Sequence, residues 1–251
     1  MKYFGKYGDT DVRIYTVEND YLKIEVMDLG ATLVKFIYKP LNRNIVLGFN
    51  SAEAYFENRD VYIGVTIGRC ANRIVGGRFY LDGQGYELTK NDGNNTLHSG
   101  DNGAHTKLFN VKEIEGGLEL FTLLKDGEDG FPGNLQMLVR YRLDGHHLIY
   151  EVEAVSDKKT VFAPTSHSYF NLNGGDIKNA EVFIPTAKVS LLNDDGSTSS
   201  QDIDVKDTVF DFTSFKKIGD GLAMMHPNML DPMVMTIITL LKTAMIRLEP
   251  L

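Results

Sequence analysis

LQMLVRYRLDGHHLIYEVEAV, residues 135–155, reads as two strands joined by a tight turn. In the first half Val139, Tyr141 and Leu143 alternate with Arg140 and Arg142. In the second, Leu148, Tyr150 and Val152 alternate with Ile149, Glu151 and Glu153. A period of two with one wet and one dry face is that of a half-buried strand, and Asp144-Gly145 between alternating runs predicts a hairpin. Upstream, YLKIEV repeats the pattern, with Leu22, Ile24 and Val26 dry and Lys23 and Glu25 wet, before Gly30 breaks the run ahead of Leu33–Tyr38. Turn clusters recur at Asn91–Asn94, Asp126–Gly133, Asn173–Gly175 and Asn193–Ser200. Many short strands punctuated by Gly, Asn and Asp, without alternating helical segments, predict an all-β antiparallel sandwich.

Composition fits that class. The chain has 251 residues, 43% hydrophobic and 24% charged, within the range of one large β domain. A net charge of -8 excludes a nucleic-acid partner that would be held by counterion release, and leaves a small molecule as the expected ligand. Cys70 is the single cysteine, so no intrachain disulfide forms and a cytoplasmic location is expected. Residues 1–20 offer no apolar core for a signal peptide, and the apolar stretch Met233–Leu248 is short and carries Lys242 and Arg247, so no membrane span is predicted.

Three polar clusters stand in turn-rich contexts, where a scaffold displays function. Gly68–Ile74, followed by Gly76–Phe79, holds Arg69, Arg73 and Arg78. Their forked donors suit an anion or a hydroxyl-rich ligand, or else surface ion pairs. Asn94–Gly100 carries His98, and Thr165–Asn171 carries His167 beside Tyr169 and Phe170. Each histidine reads either as an acid/base near neutrality or as a structural or exposed ring. His146 and His147 fall at a hairpin tip, where exposure is the simpler account. Asp126, Glu128 and Asp129 imitate a glycosidase pair or are solvated turn residues. No HxH, HExxH or paired-cysteine spacing predicts a metal, and no G-x-S-x-G, P-loop or G-x-G-x-x-G supports hydrolase or nucleotide chemistry.

Taken in order, the motifs resemble the aldose 1-epimerase (galactose mutarotase) family. Gly68–Ile74 matches G-R-x-A-N-R-I, and Arg78–Gly83 matches R-F-x-L-D-G. Asn95–Gly100 matches N-x-L-H-G-G with Ser99 for the first glycine, Asp126–Leu135 matches D-G-E-x-G-F-P-G-N-L, and His167–Leu172 matches H-x-Y-F-N-L. Phe210–Phe212 and the helix-like Ile218–Leu222 follow in the family's order, so the likeness spans about residues 20–232. The resemblance implies a large β-sandwich of the galactose mutarotase type and interconversion of the α and β anomers of free hexoses without metal or organic cofactor. By the same resemblance His167 and His98 are the catalytic residues, His167 as general acid and His98 beside the ring oxygen. Arg73, Asn72 and His98 bind the sugar, and Tyr169 or Phe79 could stack on its apolar face or belong to the core. A non-catalytic carbohydrate-binding module and a hexose-phosphate epimerase are the alternatives.

The family's substrate-binding aspartate in G-Y-D-H-N and its later glutamate base have no counterpart, and Glu249 is not assigned as the base. The expectation is therefore one incomplete domain over 1–232, an atypical tail over 233–251, and an impaired copy of the enzyme. Codons suggest a cause. Met233-Val234-Met235-Thr236-Ile237-Ile238-Thr239, read one base upstream from the third base of the Pro232 codon, forces Gly and Asp at the second and fourth places. It permits N-G-Y-D-H-N-Y throughout. Resequencing the gene across Pro232 checks this: the upstream frame is expected to run on through G-Y-D-H-N to a glutamate-bearing motif, and an immediate stop codon would contradict it.

Overall fold

Antiparallel strands dominate from the N-terminus on. The structure, a computed structural model, describes residues 1–223 and 245–246. In the first of its two compact units, Met1–Phe170, a meander runs through β1 (Lys2–Tyr7), β2 (Thr10–Glu18), β3 (Leu22–Met27), β4 (Thr32–Tyr38) and β5 (Arg43–Asn44). Alternation explains most of its burial: Val12, Ile14, Leu22, Ile24 and Val26 are buried. Glu25 departs from the expected wet face. It is buried too, and its carboxylate is met by Lys35 at 3.0 Å, so an ion pair replaces the lost hydration. α1 (Ala52–Glu57) starts at Ser51, whose hydroxyl accepts from the Ala54 N–H at 3.3 Å, and it buries Ala52 and Tyr55 against Val12, Ile14, Met27, Leu29 and Val34.

Short elements follow: β6 (Thr66–Ile67), β7 (Arg73–Ile74), the β8 (Arg78–Leu81) and β9 (Gln84–Glu87) hairpin, and β10 (Thr96–Leu97). A second antiparallel sheet then takes β11 (Asn110–Ile114), β12 (Gly117–Leu124), β13 (Leu135–Asp144) and β14 (His147–Ser156) in order. The predicted hairpin is β13–β14. It closes at Asp144↔His147, with Gly145 at φ 53°, a left-handed value that glycine adopts without steric cost. Leu118, Leu120, Met137, Val139 and Tyr141 form this sheet's dry face, and the Tyr141 hydroxyl donates to the Ala31 carbonyl at 2.9 Å, tying the sheet to the β3–β4 connection. On the wet face Arg140 bonds Glu119 and Glu153 while Arg142 bonds Glu151, so opposite charges line up across the strands. His146 at the tip is exposed and stacks on Tyr21 with ring centroids 3.8 Å apart.

β15 (Thr165–Ser166) closes the first unit by pairing with β6, Ser166 opposite Thr66. In the second unit, Asn171–Leu251, β16 (Glu181–Phe183) lies between β19 (Lys216–Lys217) and β20 (Met245–Ile246), and β17 (Lys188–Leu192) pairs with β18 (Thr198–Asp204). α2 (Ile218–Ala223) forms where the sequence reads as helical. Apart from Met245 and Ile246, the tail 233–251 and its expected shifted frame lie outside the described residues. Among the described residues no helix is long and apolar enough to cross a membrane.

Candidate active site

Two short ladders of the first unit bring the candidate residues together. β6 and β15 pair antiparallel, so the turn holding His167 leaves the ladder beside Val65, and the loop beginning at Gly68 leaves it at the other end. The His167 N–H donates to the Val65 carbonyl at 2.8 Å, and the Gly64 N–H donates to the His167 carbonyl at 3.0 Å. β7 and β10 pair with Leu97 opposite Arg73, which sets Asn72 across from His98 just beyond the ladder. Asn91 holds that register: its side-chain oxygen accepts the Leu97 N–H at 2.7 Å, and its amide donates to the Leu97 carbonyl at 3.0 Å.

His98 is fixed by backbone. Its N–H donates to the Asn72 carbonyl at 3.1 Å, and its Nδ1 accepts the Asn72 N–H at 3.0 Å. An Nδ1 that accepts cannot carry the ring proton, so the neutral ring is protonated at Nε2 and is a donor there. Burial first, then the charges of His167, His105 and Arg73, pushes its pKa down to about 3. His98 is therefore a neutral donor at physiological pH. The His167 ring meets it edge to face, with centroids 5.1 Å apart at 87°. Burial lowers the His167 pKa from the ordinary 6.5, opposed only by a hydrogen bond to its own backbone. Tyr169, 42% exposed, lies 5.2 Å from the His167 ring. Phe79 instead stacks on Tyr86 and Phe131.

The three arginines do not converge. Arg73 carries its guanidinium on Asp92, Nε to Oδ2 at 2.6 Å. Arg78 is exposed and bonds Glu87 at 2.6 Å. Arg69 is 2% exposed and gives its N–H groups to the carbonyls of Pro132, Leu124, Lys125 and Gly133 and to the Thr160 hydroxyl. The acidic run likewise staples loops. Asp126 bonds Lys158, Glu128 bonds Lys107, and Asp129 accepts the N–H groups of Asp101 and Asn102. That last contact requires Gly100 (φ 84°), because a Cβ there would lie 2.7 Å from the Asp129 carboxyl carbon. Among the described residues no cluster of His, Cys, Asp and Glu could hold a metal ion.

Two residues of the site escaped the sequence reading. The Tyr62 ring lies 4.7 Å from His98, 5.2 Å from His105 and 5.8 Å from His167, so it touches all three imidazoles. His105 has its Nδ1 buried without a hydrogen-bond partner, and burial, ahead of the opposing pull of Asp129, lowers its pKa to about 4. Neither sits in a periodic or motif context; the one available signal was a second histidine in the loop that carries His98.

These three depressed histidines make stability acid-sensitive. Below a pH of about 6.5 the unfolded chain takes up protons that the folded chain refuses, so the unfolding free energy falls as pH drops. The fall continues until His105 protonates in the fold near 4 and His98 near 3. Each histidine contributes at most about 1.4 kcal/mol per pH unit. Urea unfolding at about pH 7 and about pH 5 measures this, and equal stabilities at the two would contradict the burial of these rings.

Residues 13–249 match the family described as aldose 1-epimerase. Galactose mutarotase of Bos taurus is 33% identical over 236 residues, covering 89% of this chain and 67% of its own length. Aldose 1-epimerase of Escherichia coli K12 is 34% identical over 215 residues, covering 82% of this chain and 62% of its own length. The crystal structure of galactose 1-epimerase from Lactobacillus acidophilus NCFM superposes with a TM-score of 0.80 at 31% identity, over 88% of this chain and 67% of that one. The chain thus spans about two thirds of the length of these relatives or slightly less.

Proposed function

As the chain belongs to the aldose 1-epimerase family, we propose that it interconverts the α and β anomers of a free aldohexose such as galactose or glucose, with His167 and His98 acting on the ring oxygen. Mutarotation needs a proton delivered to the ring oxygen while the anomeric hydroxyl gives one up. The ring opens, the aldehyde carbon turns, and closure on the other face returns both protons. A proton donor must give and retake its proton in each cycle, which suits an imidazole whose pKa lies near neutrality or somewhat below it. His167, its pKa lowered from the ordinary 6.5 by burial, is the candidate for that donor; His98, neutral with its proton on Nε2, supplies a hydrogen bond to the same region without exchanging charge. Arg73 and Asn72 contribute donors to the sugar hydroxyls. The base that takes the anomeric proton is assigned to no described residue.

The observation that carries this reading is the pair of imidazoles at 5.1 Å, one locked as a neutral donor and the other titratable. A hexose-phosphate substrate is disfavoured because Arg69 is buried on backbone carbonyls and Arg78 pairs with Glu87, so the three arginines do not converge on one phosphate. We place the protein in the cytoplasm on its single cysteine. Competition distinguishes the substrate classes: free glucose is expected to displace galactose more effectively than glucose 6-phosphate does. A preference for the phosphate would overturn the assignment to free sugars.

A further inference from the structure

His98 and Ser99 both adopt left-handed backbone, with φ 51° and 74°. Side chains resist that region, and glycine would enter it without steric cost, so a buried serine at position 99 needs a compensating contact. It has two. Ser99 is 3% exposed; its Oγ accepts the Cys70 N–H at 2.7 Å and its hydroxyl donates to the Cys70 carbonyl at 2.9 Å. One side chain thus completes both backbone groups of one residue on the opposite loop. The neighbouring link joins His98 to Asn72 through the N–H to carbonyl bond at 3.1 Å and the Nδ1 bond at 3.0 Å. These four hydrogen bonds continue the pairing past Leu97↔Arg73, the last pair of the β7–β10 ladder, where backbone alone no longer holds the two loops.

Of the four, the Nδ1 bond depends most on loop separation. An imidazole can turn about its side-chain bonds, and it stays seated on the Asn72 N–H only while that group remains within hydrogen-bond reach. We propose that Ser99 is a positioning residue: its hydroxyl bridge to Cys70 holds the His98 loop against the Asn72 loop, which seats Nδ1 and keeps the ring proton on Nε2. This rests on His98 acting as a donor to the sugar, as argued above, but the tautomer can be observed without any turnover.

Long-range proton–nitrogen NMR of the histidine side chains tests it, with His98 identified by the signal missing in His98→Gln. The unaltered chain is expected to show an unprotonated Nδ1 and a protonated Nε2 for His98. In Ser99→Gly and Ser99→Ala both bridging bonds are gone, and the two nitrogen shifts should move toward each other as the tautomers average. The glycine variant also relieves the left-handed backbone, so it keeps a folded arm of the test if alanine unfolds. Turnover in Ser99→Gly should drop by roughly tenfold with KM changed by less than about twofold, because a misoriented donor weakens the transition state more than the bound sugar. Averaged tautomers with unchanged turnover would uphold the positioning by Ser99 and remove His98 from the chemistry. A single Nε2-protonated form retained in Ser99→Gly would overturn the inference, whatever happens to the melting temperature.

Discussion

Replacing His167 by asparagine is expected to lower the turnover number for mutarotation by about two to four orders of magnitude, the usual contribution of a positioned acid. Asparagine keeps a polar side chain of similar reach but cannot give and retake a proton at the ring oxygen. Sugar binding weakens much less, since the lost interaction belongs to the transition state. The change is read by polarimetry on freshly dissolved α-galactose with the spontaneous rate subtracted, and by titrating sugar into the same variant. His167 is half-buried beside His98 and Tyr62, and its backbone is held by the β6–β15 ladder, so the substitution leaves the strand pairing intact. An unchanged rate would remove His167 from the mechanism and favour the reading of a sugar-binding module.

Replacing Arg69 by methionine destabilises the fold by about 3–5 kcal/mol. The guanidinium is the common partner of four backbone carbonyls, at Leu124, Lys125, Pro132 and Gly133, and of the Thr160 hydroxyl. Burial lowers its pKa, and the nearby Glu128, Asp126 and Asp157 oppose that shift. Methionine keeps the apolar stem but stops short of the guanidinium, so it leaves buried acceptors without donors, which costs about 1–3 kcal/mol for each group that water cannot reach. Arg69 also precedes Cys70–Asn72, the loop that seats His98, so activity should fall together with stability. Equilibrium urea unfolding measures the loss; a change below about 1 kcal/mol would show that the carbonyls find other partners.

The contrast among the arginines marks what the sequence can carry. Arg69, Arg73 and Arg78 are alike as residues in one turn-rich run, and only tertiary burial separates a core hub from an ion pair beside the site and an exposed pair with Glu87. Strands were legible because alternation is local: the β13–β14 hairpin closes where Asp144-Gly145 predicts, and Leu22, Ile24 and Val26 are buried as read. Glu25 was misread because a buried carboxylate is invisible until Lys35 is known to stand across from it on β4. His98 and His167 were legible as members of ordered motifs. Their meeting, the Nδ1 lock by Asn72 and the central place of Tyr62 depend on the pairings of β6 with β15 and of β7 with β10, between residues far apart in the chain. The acidic run Asp126–Asp129 was ambiguous for the same reason: its partners Lys158, Lys107 and the Asp101 and Asn102 N–H groups are all distant in sequence.

Opening and closing of an aldose ring is the chemistry proposed for the site around His98 and His167. Optical rotation of freshly dissolved α-galactose, followed at several concentrations of the 251-residue chain, tests it most directly. Rotation is expected to approach its equilibrium value faster in proportion to protein added, with no change in the equilibrium value itself. Decay at the spontaneous rate at every protein concentration would contradict it.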